Sequence, residues 1–382
     1  MKRISCSPRP DWPAKVEKVG LTYHTTEGHP YWDESAYYQL TASEVDELEK
    51  TGNDLHMMCI EAAEEIITKN LFSELGIPDA AVPLIKRSWD RDDFSLYGRF
   101  DFAYDGTCPP KLLEYNADTP TALVEAAVAQ WYWLEESHPQ ADQFNSIHEH
   151  LIAAWKKYKA DFIGKIHLGG VRDHLEDEQT VLYIQDTCFQ AGLEVEQLFL
   201  EDLGYDSHVR RFVDMAGNEV RNYFKLYPWE WLWHEEFSSH LSAELIHFIE
   251  PMWKMLLSNK GILPILWRKY PGHPNLLPAY FSAEELVANH GPQSYVRKRK
   301  LSREGANISL IENGVSQVET PGEYGDEGYV FQSLASLGDF HGNHPVMGVW
   351  VVNHEACGLG IREDTTRITG NCSRFVPHLF ET

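Results

Sequence analysis

The sequence has no run of ~20 uninterrupted apolar residues, the length a membrane-spanning helix requires. Its start, MKRISCSPRPDW, lacks the apolar central segment of a secretory signal, so the expected location is the cytoplasm, with no membrane partner. Cysteine is sparse: Cys6, Cys59, Cys108, Cys188, Cys357 and Cys372 include no CxxC pair, which argues against a disulfide framework or a cysteine-rich zinc site and leaves free thiols. Neither a GxSxG nucleophile elbow nor a GxxxxGK phosphate loop occurs, so serine hydrolase and P-loop NTPase chemistry fall away. His148, Glu149 and His150, like His341 and His344, lack the spacing of an HExxH zinc site and read as ordinary surface or capping residues.

Positive charge is also scarce. With 33 Lys and Arg against 58 Asp and Glu, the net charge of -25 repels a phosphate backbone and argues against a nucleic-acid partner, while it favours a cationic small molecule. The one basic cluster is Arg297 to Lys300, followed by Arg303.

What is present is core-forming material: 43% hydrophobic residues and 12 Trp in 382 residues imply a large buried interior. No repeat, low-complexity tract or linker divides the chain, so residues 1–382 are expected to form a single domain of interlocked subdomains. Residues 1–40, rich in Pro, Tyr and Trp, read as an extended arm packed on the body. From Ser43 to Leu75 the apolar residues recur at helical spacing, with Gly52 and Asn53 as a potential break. Residues 96–118 alternate as two strands around a Gly/Pro turn, after which Thr119 can cap a helix starting at Pro120 and running to about Lys159, broken near Pro139. TVLYIQD (180–186) and LEVEQLFL (193–200) read as the strands of a small α/β unit. GILPILW (261–267), 296–312, YVFQSL (329–334) and VMGVWVV (346–352) read as further strands. In KLYPWEWLWHEEF (225–237), Trp229, Trp231 and Trp233 are expected in the core and Glu230, Glu235 and Glu236 in water, although acids beside aromatic faces would also suit a cationic amine.

The 96–118 hairpin carries the chemistry. Residues two apart in a strand share a face, so Arg99 and Asp101 point one way and Phe100 and Phe102 the other; Glu114 and Asn116 are likewise opposed to Leu113 and Tyr115. With the turn centred between Thr107 and Cys108, a symmetric register sets Asp101 opposite Glu114, Arg99 opposite Asn116, Phe100 opposite Tyr115 and Phe102 opposite Leu113. Two directly opposed carboxylates repel. A hard divalent cation would separate them, since Asp, Glu and Asn oxygens suit magnesium, and Arg99 alongside could hold a transferring phosphoryl group. An ordinary hairpin with a polar outer face is the competing account.

At these residues the sequence resembles the synthetase domain of glutathionylspermidine synthetase and its trypanothione synthetase relatives, which are ATP-grasp ligases. The resemblance covers most of the chain and rests on RFDF (99–102), EYNAD (114–118), EPMWKMLLSNKGILPILW (250–267), KRKLSREGANI (298–308) and GLGIRED (358–364). It implies an α+β, ATP-grasp fold with a packed preceding α/β subdomain, and ATP and magnesium, as two ions, for cofactors. By that similarity Asp101, Glu114 and Asn116 match the metal ligands, Arg99 the residue stabilising phosphoryl transfer, and Lys260 and Lys298 the nucleotide-binding lysines. Phe100 goes with the nucleotide-contacting segment, Glu304 and Gly305 with the flap over the phosphates, and Gln332, Ser333, Leu334 and Ala335 with the strand and hinge that bind adenine. Arg362 matches a late active-site arginine, and Arg367, Ile368 and Thr369 fall at the last nucleotide contacts.

Two departures qualify the likeness. Residues 1–40 could not house the amidase domain of the two-domain bacterial relative, so no amidase activity is expected. Where the relative has a serine-rich stretch with a cysteine, this chain has Thr119, Pro120, Thr121 and Ala122, which leaves substrate identity open. The implied function is an ATP- and magnesium-dependent acid-amine ligase working through an acyl phosphate, with a small-molecule carboxylate such as a glutathione-like peptide and an amine such as a polyamine as substrates. The rival reading is a non-catalytic ATP-binding sensor or partner subunit.

Overall fold

In the computed structural model, the described residues are 1–382 apart from 27, 244, 292–293, 326, 371–372 and 382; Cys372 therefore lies outside them, while Cys6, Cys59, Cys108, Cys188 and Cys357 are free thiols. No helix among the described residues is long and apolar enough to cross a membrane.

The Ala42–Lys69 helix opens on a capping box in which the Thr41 hydroxyl and the Glu44 carboxylate each accept the other residue's backbone N–H. Its buried residues, Val45, Leu48, Leu55, Cys59, Ala62 and Ile66 among them, form one stripe. Gly52 and Asn53 do not break it. A Cβ at Gly52 would stand 2.9 Å from the Ala356 Cβ, so the missing side chain lets the helix lie directly on the sheet, and the Asn53 side chain accepts the Ala356 N–H at 2.8 Å. The helix ends at Asn70 in the left-handed region, before a separate short turn, Phe72–Leu75.

That helix packs on a five-stranded antiparallel sheet ordered Arg374–Val376, Glu355–Asp364, His344–Val352, Tyr97–Ala103 and Lys111–Asn116. Met347, Val349 and Val351 join its core, whereas Trp350 and Val352 face a second core shared with Ile147, Leu151 and Trp155 of the Ile147–Tyr158 helix. Strand alternation thus lets one sheet serve two cores.

The second five-stranded sheet, ordered Ala279–Tyr280, Tyr329–Ser333, Tyr295–Arg299, Ser309–Glu312 and Val315–Glu319, is also antiparallel. A four-stranded parallel sheet, His247–Ile249, Asn222–Lys225, Ile166–Gly169 and Val195–Gln197, forms the expected small α/β unit. Residues 1–40 are more structured than an extended arm: Lys2–Ser5 pairs with Ala36–Thr41, which pairs with His378–Glu381, and a short helix, Trp12–Lys18, lies between.

Three expectations fail. TVLYIQD belongs to the helix Leu175–Gln190, where Val181, Ile184 and Cys188 are buried at three- and four-residue steps. GILPILW lies in the helix Ile262–Lys269; Ile262, Leu263, Ile265 and Leu266 are all buried, and Pro264 is tolerated in the first turn, where its missing N–H is not needed. Thr119 caps nothing, because Ala122 takes a left-handed φ of 64° and the chain turns helical only after it, as a π-helical turn, Glu125–Ala129, running into Gln130–Ser137. Strands are found within 296–312, 329–334 and 346–352 as expected.

Candidate active site

The hairpin pairs Arg99 with Asn116, Phe100 with Tyr115 and Asp101 with Glu114, as the alternation requires. The register then slips: Phe102 faces Leu112 and not Leu113, because Leu113 is the extra residue of a bulge and turns to line the cleft. Phe100 stacks on Tyr115 with ring centroids 3.8 Å apart, fully buried behind the polar face.

Both ends of the hairpin are clamped by buried charges. At its start, Glu250 Oε1 accepts the N–H groups of Leu96 and Tyr97, each at 2.9 Å, while Lys254 donates to the Tyr97 carbonyl at 3.0 Å. Just past its end, Asp118 forms a fully buried ion pair with Lys225 at 2.5 Å and accepts the Trp229 N–H at 2.9 Å. The loop carrying Thr119 to Thr121 is thereby fixed to the α/β unit.

Neither of the facing acids is left bare. Arg99 donates to both oxygens of Asp101, at 2.7 and 3.1 Å, and Arg362 stands 3.7 Å away. Lys260 reaches Glu114 at 3.1 Å and also donates to the Ser302 carbonyl, and Asn116 donates to the other Glu114 oxygen at 3.1 Å. Burial pushes the Glu114 carboxyl up, but Lys260 and Lys298 outweigh it and hold it at about 2. Burial lowers Lys298 to about 8 despite the nearby Glu114 carboxylate. Lys298 donates to the Leu113 carbonyl at 3.0 Å and to Gln332 Oε1 at 2.9 Å, and Gln332 donates to the Leu112 carbonyl at 2.9 Å.

The polar hairpin face forms one wall of a cleft of about 310 Å³. Asp101, Glu114, Asn116, Arg99, Lys298, Glu304, Gly305, Leu334, Ala335, Arg362, Arg367, Ile368 and Thr369 all line it, which brings together residues spread over some 270 positions of sequence. Lys260 sits behind Glu114, and the side chains of Phe100, Gln332 and Ser333 are buried away from the cavity. Arg367 is paired with Glu312 at 2.6 Å.

The turn at Glu304 and Gly305 packs against Ile368 and Thr369. Both turn residues have positive φ, 57° and 72°, and a Cβ on Gly305 would approach the Thr369 carbonyl to 2.6 Å. Beside it, Arg303 donates to Glu230 at 2.6 Å and to the Thr119 hydroxyl at 2.9 Å, which gives Thr119 a place in the cleft wall. Trp229 is buried as expected, but Trp231 is partly exposed and lines the cleft, and Glu230 pairs with Arg303 instead of facing water.

Sequence reasoning did not single out Tyr31, His174, Glu176 or Asp177, which also line the cleft, as does Thr121. Burial is the main cause raising Glu176 to about 7, with Glu125 reinforcing it, and His174 is raised to about 9 by its hydrogen bond to Asp177. No spacing signal ties Tyr31 or Glu176 to the hairpin; only the fold does.

Two carboxylates and one amide oxygen converge on one face, a donor set that fits a hard divalent cation, and lysines and arginines around it suit phosphate oxygens. Among the described residues, no group of three or more His, Cys, Asp or Glu is placed to hold a metal ion; the third donor at the hairpin is the Asn116 amide.

The chain is similar to proteins named as ligases and synthetases. A family model described as glutathionylspermidine synthase preATP-grasp matches residues 3–381. The chain is 44% identical to a Haemophilus influenzae protein provisionally named an acid-amine ligase, over 100% of both chains. It is 29% identical to trypanothione synthetase of Crithidia fasciculata and 28% identical to the bifunctional glutathionylspermidine synthetase/amidase of Escherichia coli, over 85% and 87% of this chain. It spans only 53% and 57% of those two proteins. Among solved structures, a glutathione synthetase-like effector from Globodera pallida shares the fold with a TM-score of 0.59 at 8% identity, over 97% of this chain and 96% of that one.

Proposed function

Because this chain belongs to the glutathionylspermidine synthase preATP-grasp family, we propose that it is an ATP- and magnesium-dependent acid-amine ligase that activates a carboxylate as an acyl phosphate. The two antiparallel sheets bracketing the cleft are read as the halves of an ATP-grasp fold. The observation that carries the reading is the opposed pair Asp101 and Glu114, with Arg99, Lys260 and Lys298 gathered around them at one cavity wall.

Asp101, Glu114 and Asn116 would hold magnesium, which would neutralise charge on the triphosphate. Lys298 and Lys260 place cations beside that wall, Lys298 in the cleft and Lys260 behind Glu114. Leu334 and Ala335, at the end of the Tyr329–Ser333 strand, offer backbone groups and apolar surface for the base, and Ile368 adds to the apolar lining. Arg99 orients and stabilises the phosphoryl group as it passes to the substrate carboxylate, with Arg362 also near Asp101 Oδ2. The Glu304–Gly305 flap, seated on Thr369, excludes water from a product that hydrolyses readily.

Names of the relatives point to glutathione as the acid and a polyamine as the amine, and Glu176 and Asp177 in the cleft lining suit a cation. The test is ADP release from ATP and magnesium, screened over pairs of carboxylates and amines, with mass spectrometry of the products. A pair that raises release and yields its amide supports the ligase; tight ATP binding with no responsive pair would point to the sensor or partner-subunit reading.

A further inference from the structure

An amine reaching the acyl phosphate arrives as an ammonium ion and cannot attack until it has lost a proton. Arg99, Lys260 and Lys298 are cations, and Asp101 and Glu114 are engaged by cations, so the metal-side wall offers no ready acceptor. Glu176 also lines the cleft, in the first turn of the Leu175–Gln190 helix, with the Thr121 side chain near enough to pull its carboxyl down. The carbonyl of the same Thr121 accepts from Arg99 Nη1 at 2.6 Å. A single residue therefore spans the distance between this carboxylate and the guanidinium that meets the phosphoryl group.

We propose that Glu176 is the general base that takes a proton from the attacking amine. The inference rests on the ligase reading. In the step, the amine nitrogen bonds to the acyl carbon and the carbon-oxygen bond to phosphate breaks, its electron pair leaving on phosphate. The ammonium loses two protons in all: Glu176 takes the first, and the departing phosphate takes the second.

The surroundings suit that task. Glu125, on the π-helical turn, and Asp177, on the same helix, push the Glu176 carboxyl up, while Thr121 and Arg362 pull it down; burial exceeds them all and leaves it at about 7. Tyr23 and Tyr31 close the site from the N-terminal arm, both donating to Glu125, at 2.5 and 2.6 Å. His174 is held protonated by Asp177, so it is not a competing base at neutral pH.

The experiment compares wild type and Glu176→Gln with glutathione, ATP and magnesium, using spermidine or hydroxylamine as nucleophile. Hydroxylamine is unprotonated at neutral pH and needs no base. The variant should lose about 10²-fold or more of spermidine-dependent kcat while hydroxamate formation changes less than about threefold, and the rising limb of the wild-type pH profile near 7 should vanish. Glu176→Asp should recover part of the loss. An equal fall with both nucleophiles, or no fall with spermidine, overturns the proposal. Infrared titration of the protein without substrate gives an independent readout: a carboxyl band titrating near 7 in wild type and missing in the Gln variant supports the base, and titration in the ordinary carboxylate range overturns it. A wild-type protein that releases no ADP with any acid counts against the ligase reading, while the infrared result still decides Glu176.

Discussion

Arg99 and Asp101, two residues apart on one strand, are joined by two hydrogen bonds of 2.7 and 3.1 Å, and both are buried on the cleft side of the hairpin. The guanidinium is thus held flat against the wall before any phosphate arrives. Arg99→Ala should lower substrate-stimulated ADP release by more than about 10²-fold, with the far-ultraviolet circular dichroism unchanged because Arg362 remains near Asp101. Arg99→Lys should fail almost as badly, since an ammonium lacks the planar fork. Near-normal release by the Ala variant removes Arg99 from its assigned role.

Lys298 sets a pH dependence. Its folded value of about 8 lies below the ordinary lysine range of about 10.4, so between those values the unfolded chain holds the proton more often than the folded one. This group's contribution to stability therefore rises with pH across that window. For the nucleotide the sign is opposite: ATP affinity should fall as pH rises through 8, with proton uptake on binding because phosphate favours the ammonium. Calorimetry in buffers of different ionisation enthalpy measures the uptake, and an affinity flat from pH 7 to 9 would count against a phosphate contact.

Gly305→Ala should damage turnover more than folding. The side chain would adopt a left-handed φ at a cost of about 1–2 kcal/mol and press on the Thr369 carbonyl. The flap would then sit off its seat. We expect kcat to fall about tenfold or more, with ATP hydrolysed without amide formation as water enters. Product-to-ADP stoichiometry near one in the variant would contradict this.

Asp118→Asn tests the clamp beyond the hairpin. Lys225 would keep the Tyr227 carbonyl at 3.0 Å but lose its counter-charge while fully buried, a loss of about 3–5 kcal/mol in unfolding free energy. Urea unfolding measures it. Replacing both partners, as in Asp118→Leu with Lys225→Met, should cost less than the single change, because no unpaired charge stays inside.

The gathering of the hairpin's polar residues at one cleft was more legible in the sequence than the fold around it. Alternation, with the turn centred between Thr107 and Cys108, gave the pairings of Arg99, Phe100 and Asp101, since a one-residue slip would turn the greasy face outward. The same argument failed at Phe102, because a bulge leaves no mark in the alternation. Short apolar runs were the other weakness: Ile262 to Leu266 are buried on every side, so no period distinguishes a helix from a strand there. Thr119 misled for a different reason. Its Thr-Pro pair imitates a helix start, whereas its hydroxyl serves Arg303. Glu176 and Tyr31 could not have been found, because their proximity to the hairpin is created by the α/β unit and the N-terminal sheet.

Leu113, displaced from the ladder, leaves two successive carbonyls, its own and that of Leu112, as acceptors for Lys298 and Gln332 of the other sheet. The two halves of the cleft are stitched together at the one spot where the hairpin is already distorted. A single surplus residue thus gives the second sheet two backbone handholds on the hairpin edge.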